Sequence, residues 1–386
     1  MLGRAVLTPA PLAKNKYSHG AQMGSAALRG LGIDSQFLDK AAALIGAAGA
    51  YNSWKVHRSA LNKIKAAEIK YSVNLNFPWG TSELINFVLC CASDDLRANT
   101  VRNYISQIKK SHTLSSFPWV PDNTLANAII KGLENTTDPG RKRIAVTPRM
   151  LILFKEKLIE KKKEWTRHDR RVMWALICCL WAGSFRSAEL LSPTTTGYIT
   201  EETCTWARMR DCAGLVDGKV TRWISVSLLK PKEFRAGREG VNVELFQVEA
   251  VWDPVEAMDL YRKDNIHGEV SNLPVFRWAS GENITNKFLN SFIRSCAISM
   301  SEYPPNSFLA SHSFRAGIVS IMGAMGCEES LIKTVGRWAG NSWVQYAKSG
   351  RSIRKSDQLY IQSRAAKDFS DWSPVPVLVE EKDTVE

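Results

Sequence analysis

"SHSFRAG", residues 311–317, opens a run that otherwise reads as ordinary apolar helix, and its reading decides how the rest of the chain is understood. His312 and Arg315 stand three residues apart, so on a helix they share one face. The residues that follow, "IVSIMGAMG", are small and apolar. A titratable ring and a permanent cation at the mouth of a buried helix have two explanations. One is a structural polar pair; the other is an anion site, first of all for a phosphate.

The charge of the chain bears on that choice. Lys and Arg number 51 against 38 Asp and Glu, a net of +13 over 386 residues. The final seven, "EEKDTVE", hold four acids and one base, so the remainder carries +16. A folded basic body points to a polyanionic partner, nucleic acid ahead of a membrane; a basic protein with no such partner is the alternative. An apolar fraction of 45% with 13 Trp argues against global disorder, and the length allows two or three domains.

Eight cysteines, at 90, 91, 178, 179, 204, 212, 296 and 327, form no C-x-x-C, and two pairs lie adjacent in apolar runs. That pattern predicts buried thiols in a reducing compartment, with neither a disulfide framework nor a zinc site. Six scattered histidines give no H-x-x-x-H, and no metal or cofactor is expected. The longest apolar run, "VMWALICCLWAGSF", has 14 residues, too few to span a bilayer. No secretory-leader pattern is legible at the start. The expectation is an intracellular, DNA-associated protein without a membrane partner, nuclear if its source is eukaryotic.

Outward from 311–317, the chain is expected to be mainly α with a small antiparallel sheet. Residues 1–44 form a flexible segment rich in Gly, Ala and Pro. Residues 45–135 carry four or so short helices with basic faces, a helical DNA-binding domain. In "YNSWKVHRSALNKIKAAEIKYSV", Trp54, Ala60, Leu61, Ile64 and Ile69 recur near helical spacing. In "ANTVRNYISQIKKSH", Val101, Tyr104, Ile105 and Ile108 share a face, with Asn99 as the N-cap. Residues 136–146, "TTDPGRKRIAV", read as a basic linker that could follow phosphates.

A mixed α+β domain over 147–350 opens with Thr147 as a cap and Pro148 at the first helical position. Asp217-Gly218 makes a hairpin turn before the β-prone run Trp223 to Leu228, and "GVNVELFQV" is a partner strand. Residues 351–386 form a basic helix and an extended tail.

Read for phosphate chemistry, "SHSFRAG" has company. "WAGSFRSAELL" places Arg186 after the buried helix and three residues before Glu189. "SVSLLKPKEFRAG" places Lys230 and Lys232 at a hairpin tip. "GRWAGNSWVQY" places Trp338 23 residues beyond Arg315 and Tyr346 a further 8 along. This order of arginine, hairpin lysine, H-x-x-R, Trp and Tyr resembles the tyrosine recombinase (integrase) family. "GSFRSAELL" and "SHSFRAG" look like its two arginine boxes. The "GRW" ending is most similar to recombinases of DIRS-like and Ngaro-like retroelements and Cryptons. One box alone would be weak; five in order, over roughly residues 45–350, are specific.

The resemblance implies a helical core-binding domain joined to a tyrosine-recombinase catalytic domain. The implied activity is site-specific recombination of double-stranded DNA by breaking and rejoining through a 3′-phosphotyrosyl intermediate and a Holliday junction, by a homotetramer on paired sites. Tyr346 would be the nucleophile, with Tyr360 a rival that fits the spacing poorly. Arg186 and Arg315 would grip the non-bridging oxygens with always-charged planar forks. His312 would take or share the phenol proton. Trp338, whose indole N–H only donates, would bond a phosphate oxygen. Lys230 would protonate the 5′-oxygen leaving group, with Lys232 the alternative, since Pro231 departs from the expected K-T-D. Glu189 reads as structural, paired with an arginine.

The phosphotyrosyl ester retains the energy of the broken bond, so resealing needs neither ATP nor metal. The segment Trp372 to Val379 either docks on a neighbouring subunit in trans or is a disordered tail. Two other activities fit parts of the pattern: type IB topoisomerase-like relaxation, and a non-catalytic architectural DNA binder.

Overall fold

The computed structural model describes residues 10–11, 39–40, 44, 51–115, 117–137, 142–200, 202–216, 218–229, 240–298, 307–324 and 327–337. The chain divides into two compact units, Ala13–Gly140 and Arg141–Glu386, the latter with Met1–Leu12. The described residues are mainly helical, with one small antiparallel sheet.

In the first unit α1 (Tyr51–Tyr71), α2 (Thr81–Ser93), α3 (Ala98–Leu114) and α4 (Thr124–Thr136) enclose one core. The buried stripe of α1 is Trp54, His57, Ala60, Ile64 and Ala67, at steps of three and four that keep it on one face. Ile69, expected on that stripe, is 84% exposed. It lies two residues past Ala67, about 200° further round the helix.

Helix α3 buries Val101 and Ile108 as expected and half-buries Tyr104 and Ile105. Its N-cap is Arg97 rather than Asn99. Asn99 sits inside the first turn, where its amide oxygen accepts from Arg102 at 3.4 Å. No side-chain cap bond selects the boundary, so the packing of Ala98 decides it.

Two fully buried histidines organise this unit. His112 accepts the Trp79 amide on Nε2 at 2.9 Å, and its Nδ1 meets the Ile108 carbonyl at 3.0 Å. His57 Nε2 lies 2.8 Å from Ser111 Oγ, joining α1 to α3. At the end of α2, Asp94 gathers Lys63, Lys70 and the Tyr71 hydroxyl and ties α1 down.

The second unit is built around a helix that is buried on every side from Val172 onward. α5 (Pro148–Glu160) begins where Thr147 Oγ1 accepts the Met150 amide, as the Thr-Pro signal predicts. α6 (Arg167–Ala182) follows, with twelve of its sixteen residues buried. A helix apolar all round belongs at the centre of its domain. Around it lie the short α7 (Ser187–Leu190), α8 (Pro254–Asp264), α9 (Asn286–Ile298), α10 (His312–Ala324) and α11 (Glu329–Val335).

Strands β1 (Met209–Val216), β2 (Lys219–Leu228) and β3 (Val241–Phe246) form an antiparallel meander in that order. Gly218, at φ +76°, allows the β1–β2 turn. Ile224, Val226 and Leu228 of β2, with Val243 and Leu245 of β3, face the main core. Trp223 and Phe246, opposite each other in the register, form a small cluster on the other face with Val216.

Two short parallel pairings revise the expected boundaries. Ala10–Pro11, in the segment read as flexible, pairs with Gly197–Tyr198. Lys142–Arg143 pairs with Ser307–Phe308. The second pairing draws in the end of the stretch read as linker. Ile144, Ala145 and Val146 are fully buried, and the Val146 amide donates to the Ser313 carbonyl at 2.8 Å. Three consecutive apolar residues are too few to show a period, so only their tertiary partner identifies them as core.

Candidate active site

The site begins where α6 ends. Gly183 turns the chain out of the helix with its α-carbon against Phe185; a Cβ there would lie 2.2 Å from that ring. Ser184 then takes φ 47°, a left-handed conformation that costs a non-glycine residue of order 1–3 kcal/mol. Phe185 goes fully into the core, and Arg186 emerges as the N-cap of α7. Glu189, in the first turn of α7, accepts the Arg186 amide at 2.8 Å and the Arg186 guanidinium at 3.2 Å. Its expected pairing with a neighbouring arginine is present.

The second arginine box arrives from 124 residues away and touches the first. Ser187 Oγ donates to Ser311 Oγ at 3.0 Å. The start of α10 is pinned by further bonds. The Ser311 amide donates to Asn290 Oδ1 at 2.7 Å, and Ser313 Oγ accepts the Ala310 amide at 3.1 Å. In consequence His312 is exposed at the first position of α10, and Arg315 lies one turn deeper, 4% exposed.

Gly317 completes the motif for a packing reason. A Cβ there would lie 2.0 Å from the Val146 carbonyl and 2.2 Å from the Trp181 ring of α6. Glycine is what lets the helix carrying His312 and Arg315 approach the helix that leads to Arg186.

A third arginine, Arg337, meets the same turn. Its guanidinium donates to the Gly183 and Ser184 carbonyls and to Glu189 Oε2, each at 2.8 Å, and lies over the Phe185 ring. A cation on the last carbonyls of α6 also complements that helix's dipole. Arg337 was not picked out by sequence reasoning. The "GRW" of residues 336–338 marked its place, yet nothing local says that its partners lie more than 140 residues upstream.

The electrostatics follow from this count of charges. Among the described residues, Arg186, Arg315 and Arg337 gather around one carboxylate, Glu189. Burial, then the charges of Arg337 and Arg186, push Arg315 down to about 9 against the opposing pull of Glu189. Burial also lowers Arg186, while Glu189 resists that shift. Burial alone would raise the Glu189 carboxyl. The Arg337 charge, the Arg186 amide and the charges of Arg186 and Arg315 outweigh it and hold the group below its ordinary value. An anion about 4 Å from one such cation gains roughly 4 kcal/mol at an effective dielectric of 20.

Of the residues expected at the site, the structure brings Arg186, His312 and Arg315 together. Lys230, Lys232, Trp338, Tyr346 and Tyr360 lie outside the described residues. The described chain approaches them closely: β2 ends at Leu228, two residues before Lys230, and Arg337 directly precedes Trp338. Among the described residues no group of three His, Cys, Asp or Glu could hold a metal ion. No described helix is long and apolar enough to cross a membrane.

No protein-family model matches the chain, and no curated protein matches it. In overall fold it is similar to the Tn1549 transposon integrase, residues 82–397, solved in complex with circular intermediate DNA. That likeness has 12% identity and a TM-score of 0.46, and covers 89% of this chain and 99% of that one. It is similar also to the XerH site-specific recombinase, solved bound to its difH substrate in a pre-cleavage complex. There the identity is 12% and the TM-score 0.49, with 89% and 99% covered. Likenesses this distant leave function to be read from the site itself.

Proposed function

We propose that this chain is a DNA strand-transferase of the tyrosine-recombinase kind, which breaks and rejoins double-stranded DNA at specific sites. One observation carries the reading. Two arginine boxes 124 residues apart are joined through Ser187 and Ser311, and among the described residues they set half-buried Arg186 and buried Arg315, with Arg337, around the carboxylate of Glu189 and beside an exposed histidine. A surplus of buried cations is unfavourable unless an anion joins them, and a DNA phosphodiester supplies one charge with oxygens suited to guanidinium forks.

In this mechanism Arg186 and Arg315 hold the non-bridging oxygens and offset the charge that builds up at phosphorus. The Tyr346 phenol loses its proton to His312 as its oxygen attacks. The P–O5′ bond breaks, and Lys230, or Lys232, delivers a proton to the departing 5′-oxygen. Trp338 donates its indole N–H to a phosphate oxygen. The 3′-phosphotyrosyl ester is then attacked by the 5′-hydroxyl of a second strand, which releases the phenol. Two such exchanges pass through a Holliday junction. The second unit, with 147–350, is the catalytic domain, and the helices within 45–135 are a second DNA-binding surface.

Strand exchange between two duplexes calls for four copies of the chain, and the segment Trp372 to Val379 is the candidate link between them. The "GRW" sequence resembles that of the DIRS-like, Ngaro-like and Crypton recombinases, which supports a mobile-element enzyme. In a eukaryotic cell it would act in the nucleus.

A nicked suicide duplex tests the reading. Cleavage upstream of the nick loses the short fragment and traps the covalent complex. Peptide mapping should then find the nucleotide on Tyr346. An adduct on Tyr360 would reassign the nucleophile. A folded preparation that binds duplex and yields no adduct would make the protein a binder alone.

A further inference from the structure

Arg337 makes no contact that a surface arginine would need. Its side chain is 6% exposed, two of its bonds reach the turn between α6 and α7, and the third reaches Glu189 of α7, the carboxylate that also holds the Arg186 main chain. Its own backbone sits at φ 47°. A non-glycine residue keeps such a conformation where its surroundings over-determine it. Here the surroundings are two carbonyls, one carboxylate and the Phe185 ring.

We propose that Arg337 is a positioning residue. It fixes the chain immediately before Trp338 to the turn that aims Arg186, so that the third catalytic segment starts from a set point beside the arginine clamp. The inference rests on the recombinase reading for what is positioned, while the tie itself is a matter of geometry. Arg337 is committed to two carbonyls of its own chain and to Glu189. Its guanidinium orients and does not touch the phosphate. Lysine cannot replace it fully, because one ammonium does not reproduce the planar fork that reaches three acceptors.

The test uses the full-length protein and Arg337→Met, which keeps an unbranched apolar stem and removes the donors. At saturating nicked duplex, the single-turnover rate of covalent adduct formation should fall about 10²-fold, the effect of a displaced catalytic group. Duplex affinity should be unchanged. Arg337→Lys should recover part of the rate. Backbone amides at 183–190 should exchange faster in the Met variant than in the unaltered protein.

A Met variant that cleaves at the unaltered rate overturns the proposal, as does unchanged exchange at 183–190. Should the Met variant fail to fold, the Lys variant decides: a slower rate at full DNA occupancy supports the tie, and an undiminished rate overturns it. If the unaltered protein forms no adduct, it is the functional reading that fails, and the exchange measurement still judges Arg337.

Discussion

Both units bury polar side chains, and they do so for opposite ends. The helical unit buries His57 and His112, each with no measurable exposure. Each is matched by a neutral partner: Ser111 Oγ for one, and the Trp79 amide and Ile108 carbonyl for the other. The other unit buries Arg315, Arg337 and Glu189 and half-buries Arg186, and among the described residues cations there outnumber the carboxylate three to one. In the first case polar groups are satisfied within the chain and serve architecture. In the second, three described cations meet one described carboxylate, the arrangement that the proposed phosphate site would use. Burial of a polar residue therefore does not identify function; the balance of charge around it does.

The sharpest way to break this comparison is to remove the most buried member of the clamp. Arg315→Met should reduce strand cleavage by roughly 10²–10³-fold, the scale of losing about 2.7–4 kcal/mol of transition-state stabilisation. Its melting temperature without DNA should hold or rise, because one of three crowded cations is gone. A Met variant that melts well below the unaltered protein would mean that Arg315 serves the fold, as the histidines do.

The carboxylate comes next. Glu189→Gln leaves three guanidiniums without a counter-charge and should destabilise the protein by about 3–5 kcal/mol, the range for breaking a buried pair. The pH dependence has a defined sign. The folded-state pKa of Glu189 lies below its ordinary value, so its contribution is complete above the ordinary carboxylate range and fades as pH falls through the lowered value. Chemical denaturation across acid pH should show a shallower loss of stability in the Gln variant. Parallel curves for the two proteins would contradict the network.

The smallest effect belongs to the other side of the comparison. His112→Ala strips the buried Trp79 amide of its acceptor and should cost roughly 1–3 kcal/mol for that group, with a further loss for the cavity. The rate of adduct formation at saturating DNA should be unaffected. A slowed chemical step would place His112 in function after all.

Much of this organisation was legible in residue order. The hydroxyl cap and proline at Thr147-Pro148 fixed the start of α5, and the Asp217-Gly218 signal located the turn between β1 and β2. The motif spacing singled out Arg186, Glu189, His312 and Arg315. The misreadings share a cause. Ile69 was assigned to a stripe that ends at Ala67, and Asn99 was given a cap that the packing of Ala98 moves to Arg97. Ile144 to Val146 fall in the stretch read as linker because what holds them, the Phe308 and Ser313 carbonyls that accept the Ile144 and Val146 amides, lies far along the chain.

The amino-acid sequence by itself determined the chemical types available: which positions carry fixed positive charge, which face of each helix is apolar, and where short-range turn signals end one element and start the next. These are local properties, set by a few neighbouring residues. Only the tertiary structure decided that Ser187 would meet Ser311, that three arginines would share a single carboxylate, and that Arg337 would close onto Gly183 and Ser184. Such contacts span more than a hundred residues, and the free energy that selects them comes from packing around α6, which no local window contains.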